Sequence, residues 1–341
     1  MKRLLIIVLL LSAVSCGQKD PAPGGEPVRI IFDTDLGNDI DDVLALQMLL
    51  NYEKEGRAEL LGITLCKANP ATIAFTDGYC RFDGRGDIPL GYAYDGVTPE
   101  DGTYLLPTLE ASFGGEPLLR PARTIDSGLP EGYKLLRRLL AAQPDVSVVL
   151  VAVGPLTNIG NLLVSEADEF SSLSGRDLVA AKVRRVVTMA GLFGDEFDFP
   201  EYNVVCDLEA SHRTFELCPV PLTTTGWEVG NLLPYPHESI LMDFGDPEAH
   251  PLPVAYRHYM QMPYDRPTWD LTAVLEAVEP GKWFDRSPKG TIRIAADGRS
   301  SFEASETGMQ EYLVIPQEKA AAALQALVHC TTGKNLKDMN P

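Results

Sequence analysis

Five aspartates fall within the ten residues Asp33-Thr34-Asp35-Leu36-Gly37-Asn38-Asp39-Ile40-Asp41-Asp42, between the strand-like run Val28–Phe32 and the apolar run Val43–Leu46. Like charges this close repel. Each carboxylate resists ionising beside its neighbours unless water, helix amides or a bound cation offsets the repulsion. The available ligands are hard oxygens with no His or Cys beside them, a set that favours calcium or magnesium over zinc. Capping of the following helix would employ one or two of these carboxylates and leave three without a task. A strand, a Gly-containing turn and a helix in succession place the cluster at the carboxyl end of the first strand, where open α/β sheets hold their ligands.

Four later segments carry polar groups at similar places. Asn69 follows the second strand-like run, where its ordinary reading is a turn residue. Val153-Gly154-Pro155-Leu156-Thr157-Asn158 follows the third, and its Gly-Pro pair bends the backbone so that the Val153 carbonyl can face inward as a ligand. Glu201 and Asn203 alternate around Tyr202, two polar side chains suited to sugar hydroxyls or simply to an exposed loop. Asp270, in Arg266-Pro267-Thr268-Trp269-Asp270, precedes the helical run Leu271–Val278 and suits a helix cap as well as a ligand.

The elements that must position these groups alternate in type. Ile30–Phe32, Leu60–Leu65, Val146–Val153, Val183–Ala190 and Val220–Thr224 read as strands, several apolar enough to be buried on both faces. Asp42–Tyr52, Thr72–Arg81, Gly132–Ala142, Asn158–Leu163 and Asp207–Glu216 read as helices between them. This βαβα order predicts an open, mainly parallel, Rossmann-like α/β sheet flanked by helices, in a single domain over 28–335. Residues 88–130 lack clear periodicity and read as a long surface excursion. Residues 291–316 read as a hairpin turning at Asp297-Gly298, and a last helix covers Gln317–Val328.

The amino terminus reads as an export signal. Met1-Lys2-Arg3 and the apolar stretch Leu4–Val14 are too short to span a bilayer. Residues 1–15 are therefore set apart from the fold as a leader. Ala13-Val14-Ser15-Cys16-Gly17 resembles a bacterial lipoprotein cleavage box, with Cys16 as the lipidated residue. Residues 16–27 then form a Pro/Gly-rich flexible tether. The expectation is an exported lipoprotein, anchored to a membrane in the periplasm or at the cell surface. A net charge of −19, more negative still without Lys2 and Arg3, argues against a nucleic-acid partner. Five cysteines besides Cys16 show no paired metal-type spacing, and no disulfide framework is implied.

Taken in order, these segments resemble the calcium-dependent nucleoside hydrolases that prefer inosine and uridine. The likeness runs from the Asp33–Leu46 motif through Val153–Asn158, Met189–Gly191 and Glu201–Asn203 to Asp270. The resemblance implies that Asp35, Asp42, Asp270 and the Val153 carbonyl hold Ca2+. It further implies that a water on the ion is the nucleophile with Asp35 as general base. Asp41 and Asn69 would meet the ribose 2′- and 3′-hydroxyls, and Glu201 and Asn203 the 3′- and 5′-side. The substrate would be a small-molecule nucleoside or riboside, and nothing in the chain opposes a homo-oligomer.

This chain departs from the family pattern at three places. Gly37-Asn38-Asp39-Ile40-Asp41-Asp42 is two residues longer than the commoner Gly-x-Asp-Asp, so Asp39 competes with Asp41 as the ribose contact or takes a metal duty. Trp269-Asp270 replaces a His-Asp pair, removing the His that helps the base leave and offering an indole to stack on it. His258 and Tyr264 are alternative acids, while Tyr256, Tyr259 and Trp227 read as core or rim aromatics. Asp195 or its neighbours stand where many members carry an Asn for the 5′-hydroxyl. Two other classes are compatible with parts of the chain: a riboside-binding lipoprotein without turnover, and a haloacid-dehalogenase-like phosphohydrolase in which Asp33 attacks phosphate.

Overall fold

A computed structural model describes residues 25–194 and 196–334. The leader, Cys16, most of the tether and Asp195 lie outside the described residues. Nine strands form the main path of a ten-stranded sheet: β1 (Val28–Thr34), β2 (Ala58–Lys67), β3 (Leu90–Val97), β4 (Val148–Ala152), β5 (Val183–Met189), β6 (Leu222–Thr225), β7 (Gly290–Ile294), β8 (Ser300–Ala304) and β9 (Gln310–Val314). Their order is β8-β7-β9-β6-β5-β4-β1-β2-β3, and the two-residue strand Asp285–Arg286 pairs with β9. From β9 to β3 every pairing is parallel. Only the β7 pairings and the short tenth strand are antiparallel.

Helices cover both faces, and β1 shows why. Ile30 and Phe32 point into one apolar cluster and Ile31 into the other, so the strand is apolar on both sides. The first cluster includes α1 (Asp41–Lys54), α2 (Ala71–Phe82) and two helices from the far end of the chain, Trp269–Val278 and Gln317–Thr332. The second lies under Gly132–Ala141, Thr157–Val164, Gly175–Lys182 and Leu208–Leu217. The chain moves from β1 to β2 and β3 on one side, then returns to lay β4 against the other side of β1. That reversal opens a crevice at the carboxyl ends of β1 and β4.

Two sequence readings change. The excursion over 88–130 contains β3, a full edge strand, which Gly91, Asp95 and Gly96 disguise by interrupting its apolar run. Gly91 is required there: a Cβ would come within 2.9 Å of Leu135 on the helix that crosses it. The terminal hairpin, β7 and β8, is followed by a third strand, β9, which joins the parallel sheet beside β6. All five cysteines among the described residues are free.

Candidate active site

The crevice holds a cavity of about 350 Å³. It is lined by the acidic loop and Val153, by Met189 and Glu201–Asn203, and by Trp227, Tyr259, Arg266 and Trp269. Asp41 and Asp42 occupy the first turn of α1, and Asp270 the first turn of α3 (Trp269–Val278). Two helix amino termini thus converge on one point, and their dipoles and free amides favour negative charge. The Asp270 N–H donates to Asp41 Oδ2 at 3.0 Å, so the two helix starts are tied directly.

One ligand atom from each of Asp41, Asp42 and Asp270 lies within 4.8 Å of the others, and all three residues are buried. Burial, followed by repulsion from neighbouring carboxylates, holds all three well above the usual carboxylate range. Asp35 lines the same cavity, and burial raises it to about 6 against the opposing pull of Asn38 and Lys67. Asn38 Nδ2 donates to Asp35 Oδ2 at 2.9 Å and to the Tyr202 hydroxyl at 2.8 Å. The Thr34 hydroxyl donates to Asp42 and accepts from the Leu36 amide at 3.1 Å.

These residues fit a hard divalent cation. The donors of the cluster are carboxylate oxygens without His or Cys, and Val153 lines the same cavity with its carbonyl accepting from Asn203 Nδ2 at 2.8 Å. Two basic groups near enough to favour the ionised carboxylates are committed elsewhere. Arg266 forks onto Asp39, and Lys67 Nζ donates to the Thr98 carbonyl at 2.7 Å. Gly154 is essential to the approach of β1 and β4, because a Cβ there would sit 2.6 Å from Asp35 Oδ1 and 2.7 Å from the Asp35 amide.

The structure sorts the other predicted site residues. Glu201 caps the short helix Tyr202–Cys206, accepting from the Asn203 and Val204 amides and from Gly191, yet burial still raises it to about 7. Asn203 also reaches the Met189 carbonyl at 3.1 Å. Trp269 stands in the cavity wall, its indole N–H donating to the Trp227 carbonyl at 2.8 Å. Asp39 lines the cavity as the ion-pair partner of Arg266 and is outside the three-carboxylate cluster. Asn69 is not brought to the cavity. Its amide donates to the Pro99 carbonyl and Asp101, both at 3.0 Å, and its oxygen caps Ala71 at 2.9 Å, so the turn reading describes it.

Neither alternative acid reaches the cavity lining. His258 is exposed on the helix Pro251–Tyr259, and the Tyr264 hydroxyl donates to the Tyr256 carbonyl at 2.5 Å. Tyr259 and Trp227 are rim aromatics, whereas Tyr256 is core. Asp33 is buried behind the site, held by Thr64 and Asn158, with burial lifting it to about 7. It is not positioned as a nucleophile, which removes the phosphohydrolase alternative. Sequence reasoning overlooked Arg266 and Tyr202. The signal for Arg266 was the extra carboxylate in the expanded loop, which needed a basic partner.

Comparison with known proteins identifies the family and the fold. The model of the inosine-uridine preferring nucleoside hydrolase family matches residues 30–328. The pyrimidine-specific ribonucleoside hydrolase RihA of a Shewanella species is 28% identical over 221 residues, covering 63% of this chain and 61% of that protein. The match thus spans about three fifths of that curated relative. Among solved structures, a plant nucleoside hydrolase superposes with a TM-score of 0.67 at 19% identity, covering 90% of this chain and all of that one. The purine-preferring ribonucleoside hydrolase of Gardnerella vaginalis gives 0.67 at 16% identity, covering 89% of this chain and 98% of its own. With a family match across nearly the whole folded region, the chain belongs to the inosine-uridine preferring nucleoside hydrolase family.

Proposed function

We propose that the protein hydrolyses the N-glycosidic bond of a ribonucleoside or related riboside, releasing ribose and the free base. The observation that carries this reading is the buried cluster of Asp41, Asp42 and Asp270 lining one cavity together with Trp227, Tyr259 and Trp269. Asp35, Asp42, Asp270 and the Val153 carbonyl are the residues that would hold calcium. Such an ion, when bound, supplies positive charge among the carboxylates and lowers the pKa of a coordinated water.

The chain's own groups account for the rest. Asp35 receives the attacking water's proton, as a cavity-lining carboxylate held by Asn38 Nδ2 at 2.9 Å. Asp41, Glu201 and Asn203 line the same cavity and offer polar groups to ribose hydroxyls. Their negative charge and dipoles favour a ribosyl centre that becomes cationic as the bond to the base lengthens. Trp227, Tyr259 and Trp269 give the cavity an aromatic lining for the base, with the Arg266 guanidinium seated against the Trp269 and Tyr259 rings.

The decisive experiment is a panel of nucleosides and ribosides assayed for reducing sugar with calcium and with chelator. Calcium-dependent release that disappears in Asp35→Ala supports the proposal; release unaffected by that substitution refutes the role of the motif. The cavity lacks a His among its described lining residues, which gives substance to a second reading, riboside binding without turnover. Calorimetry showing calcium-dependent binding with no product over hours would establish it. The same proposal places the domain outside the cytoplasm on a lipid attached to Cys16. Metabolic labelling with a fatty-acid analogue, lost in Cys16→Ser, tests that placement.

A further inference from the structure

Arg266 occupies an unusual position for a cavity-lining cation. Its guanidinium centre lies 5.0 Å from the Trp269 ring centroid and 5.1 Å from that of Tyr259. Its Nε donates to Asp39 Oδ1 at 2.9 Å, and one terminal nitrogen donates to the other oxygen of that carboxylate. Asp39 in turn is fixed by its own backbone: its carbonyl accepts from the Tyr104 hydroxyl at 2.8 Å, and its carboxylate accepts from the Ile40 amide at 2.6 Å. The two-residue expansion of the acidic loop therefore supplies a dedicated anchor for Arg266. An arginine clamped on one edge and flanked by two aromatic rings presents its remaining N–H groups in a set direction, without the entropy loss of ordering a free side chain.

We infer that Arg266 is the leaving-group contact of this site. It would stabilise a base that departs as an anion, and so select bases with ring carbonyls over bases with exocyclic amines. The inference rests on the hydrolase reading above. The guanidinium stays protonated and has no acceptor, so it gives hydrogen bonds without giving up a proton. In the step it serves, the hydroxyl oxygen of water bonds to C1′ and the water's proton goes to Asp35. The C1′–N bond breaks with its electron pair on the base, and the base anion then takes a proton from solvent. A 6-oxopurine offers O6 and N7 as adjacent acceptors to an arginine fork, whereas adenine presents an amino donor at the same edge. Donor facing donor leaves one of the two unpaired and raises the barrier for adenosine.

The test measures kcat/KM of the full chain with calcium for inosine, adenosine and 4-nitrophenyl β-D-riboside, whose phenolate leaves without help. Wild type should favour inosine over adenosine by at least about tenfold. Arg266→Gln should lose about a hundredfold on inosine, as removal of one charge-stabilising donor does elsewhere, with a loss at least about tenfold smaller on the nitrophenyl riboside. The inosine preference should narrow in the same variant. Asp39→Asn/Arg266→Gln, which keeps an uncharged pair, repeats the measurement if the single variant does not fold. Equal losses on inosine and the nitrophenyl riboside, or an unchanged inosine preference, would overturn the inference. Wild-type protein inert toward all three substrates would instead refute the hydrolase reading, and this inference with it.

Discussion

Replacing Asp270 by asparagine should act in opposite directions with and without calcium. The side chain keeps its shape and loses one charge. In wild type the oxygens of Asp41, Asp42 and Asp270 lie within 4.8 Å of one another. Two of these carboxylates, when both ionised, repel by about 3.5 kcal/mol at that distance and an effective dielectric near 20. Burial together with this repulsion is what holds all three well above the usual range. Without metal, Asp270→Asn relieves part of that repulsion and the thermal midpoint should equal or exceed that of wild type. With calcium at about a hundredfold over its dissociation constant, wild type gains about 2.7 kcal/mol. For a domain of this size that corresponds to roughly 5 °C in the midpoint. The variant should show little of this gain, because a neutral amide replaces a charged ligand. Differential scanning calorimetry of both proteins, in chelator and across a calcium series, reads both effects. A calcium shift in Asp270→Asn as large as in wild type would refute the assignment of the cluster, and a marked loss of stability in chelator would refute its electrostatic account.

Three further predictions concern the site's support and the scaffold. Gly154→Ala would drive a methyl into Asp35 Oδ1 and the Asp35 amide, so hydrolysis should fall about a hundredfold, read as kcat at saturating calcium. Glu279 accepts from Tyr52 and is paired with Arg57 and Lys282; burial would raise it, but these partners hold it at about 2. Because the folded value lies below the ordinary 4.5, its contribution is present above pH 4.5 and vanishes as pH falls toward 2. Urea titrations should therefore show Glu279→Gln less stable than wild type by about 2 kcal/mol at pH 7, with the gap closing in acid. Arg137 is fully buried and donates to Asp168, Ser165 and the carbonyls of Ser171 and Leu173. Arg137→Ala should cost about 3 to 5 kcal/mol in denaturant unfolding, since it strands those acceptors, while leaving the cavity chemistry of the folded fraction unaltered.

Much of this protein could be read along the chain because its signals are local. A doubly apolar strand such as Ile30-Ile31-Phe32 declares a buried parallel sheet, and a Gly turn loaded with aspartates declares where that sheet holds charge. Groups adjacent in sequence, Asp35 through Asp42, could be recognised together for the same reason. Edge strand β3 was hidden because Gly91 answers to a helix from elsewhere in the chain and Gly96 to the backbone of β2, and periodicity carries no record of such neighbours.

The tertiary structure alone decided which polar groups share a space. It brings Asp270 to Asp41 across 229 positions, by docking two helix starts at the crevice between β1 and β4. It withdraws Asn69, whose amide is consumed by residues 99 and 101, and it gives Asp39 to Arg266 across 227 positions. Local sequence sets what a side chain can donate, accept or ionise. Its partner is chosen by chain reversals over hundreds of residues, and only the folded arrangement of helices on the sheet states which donor meets which acceptor.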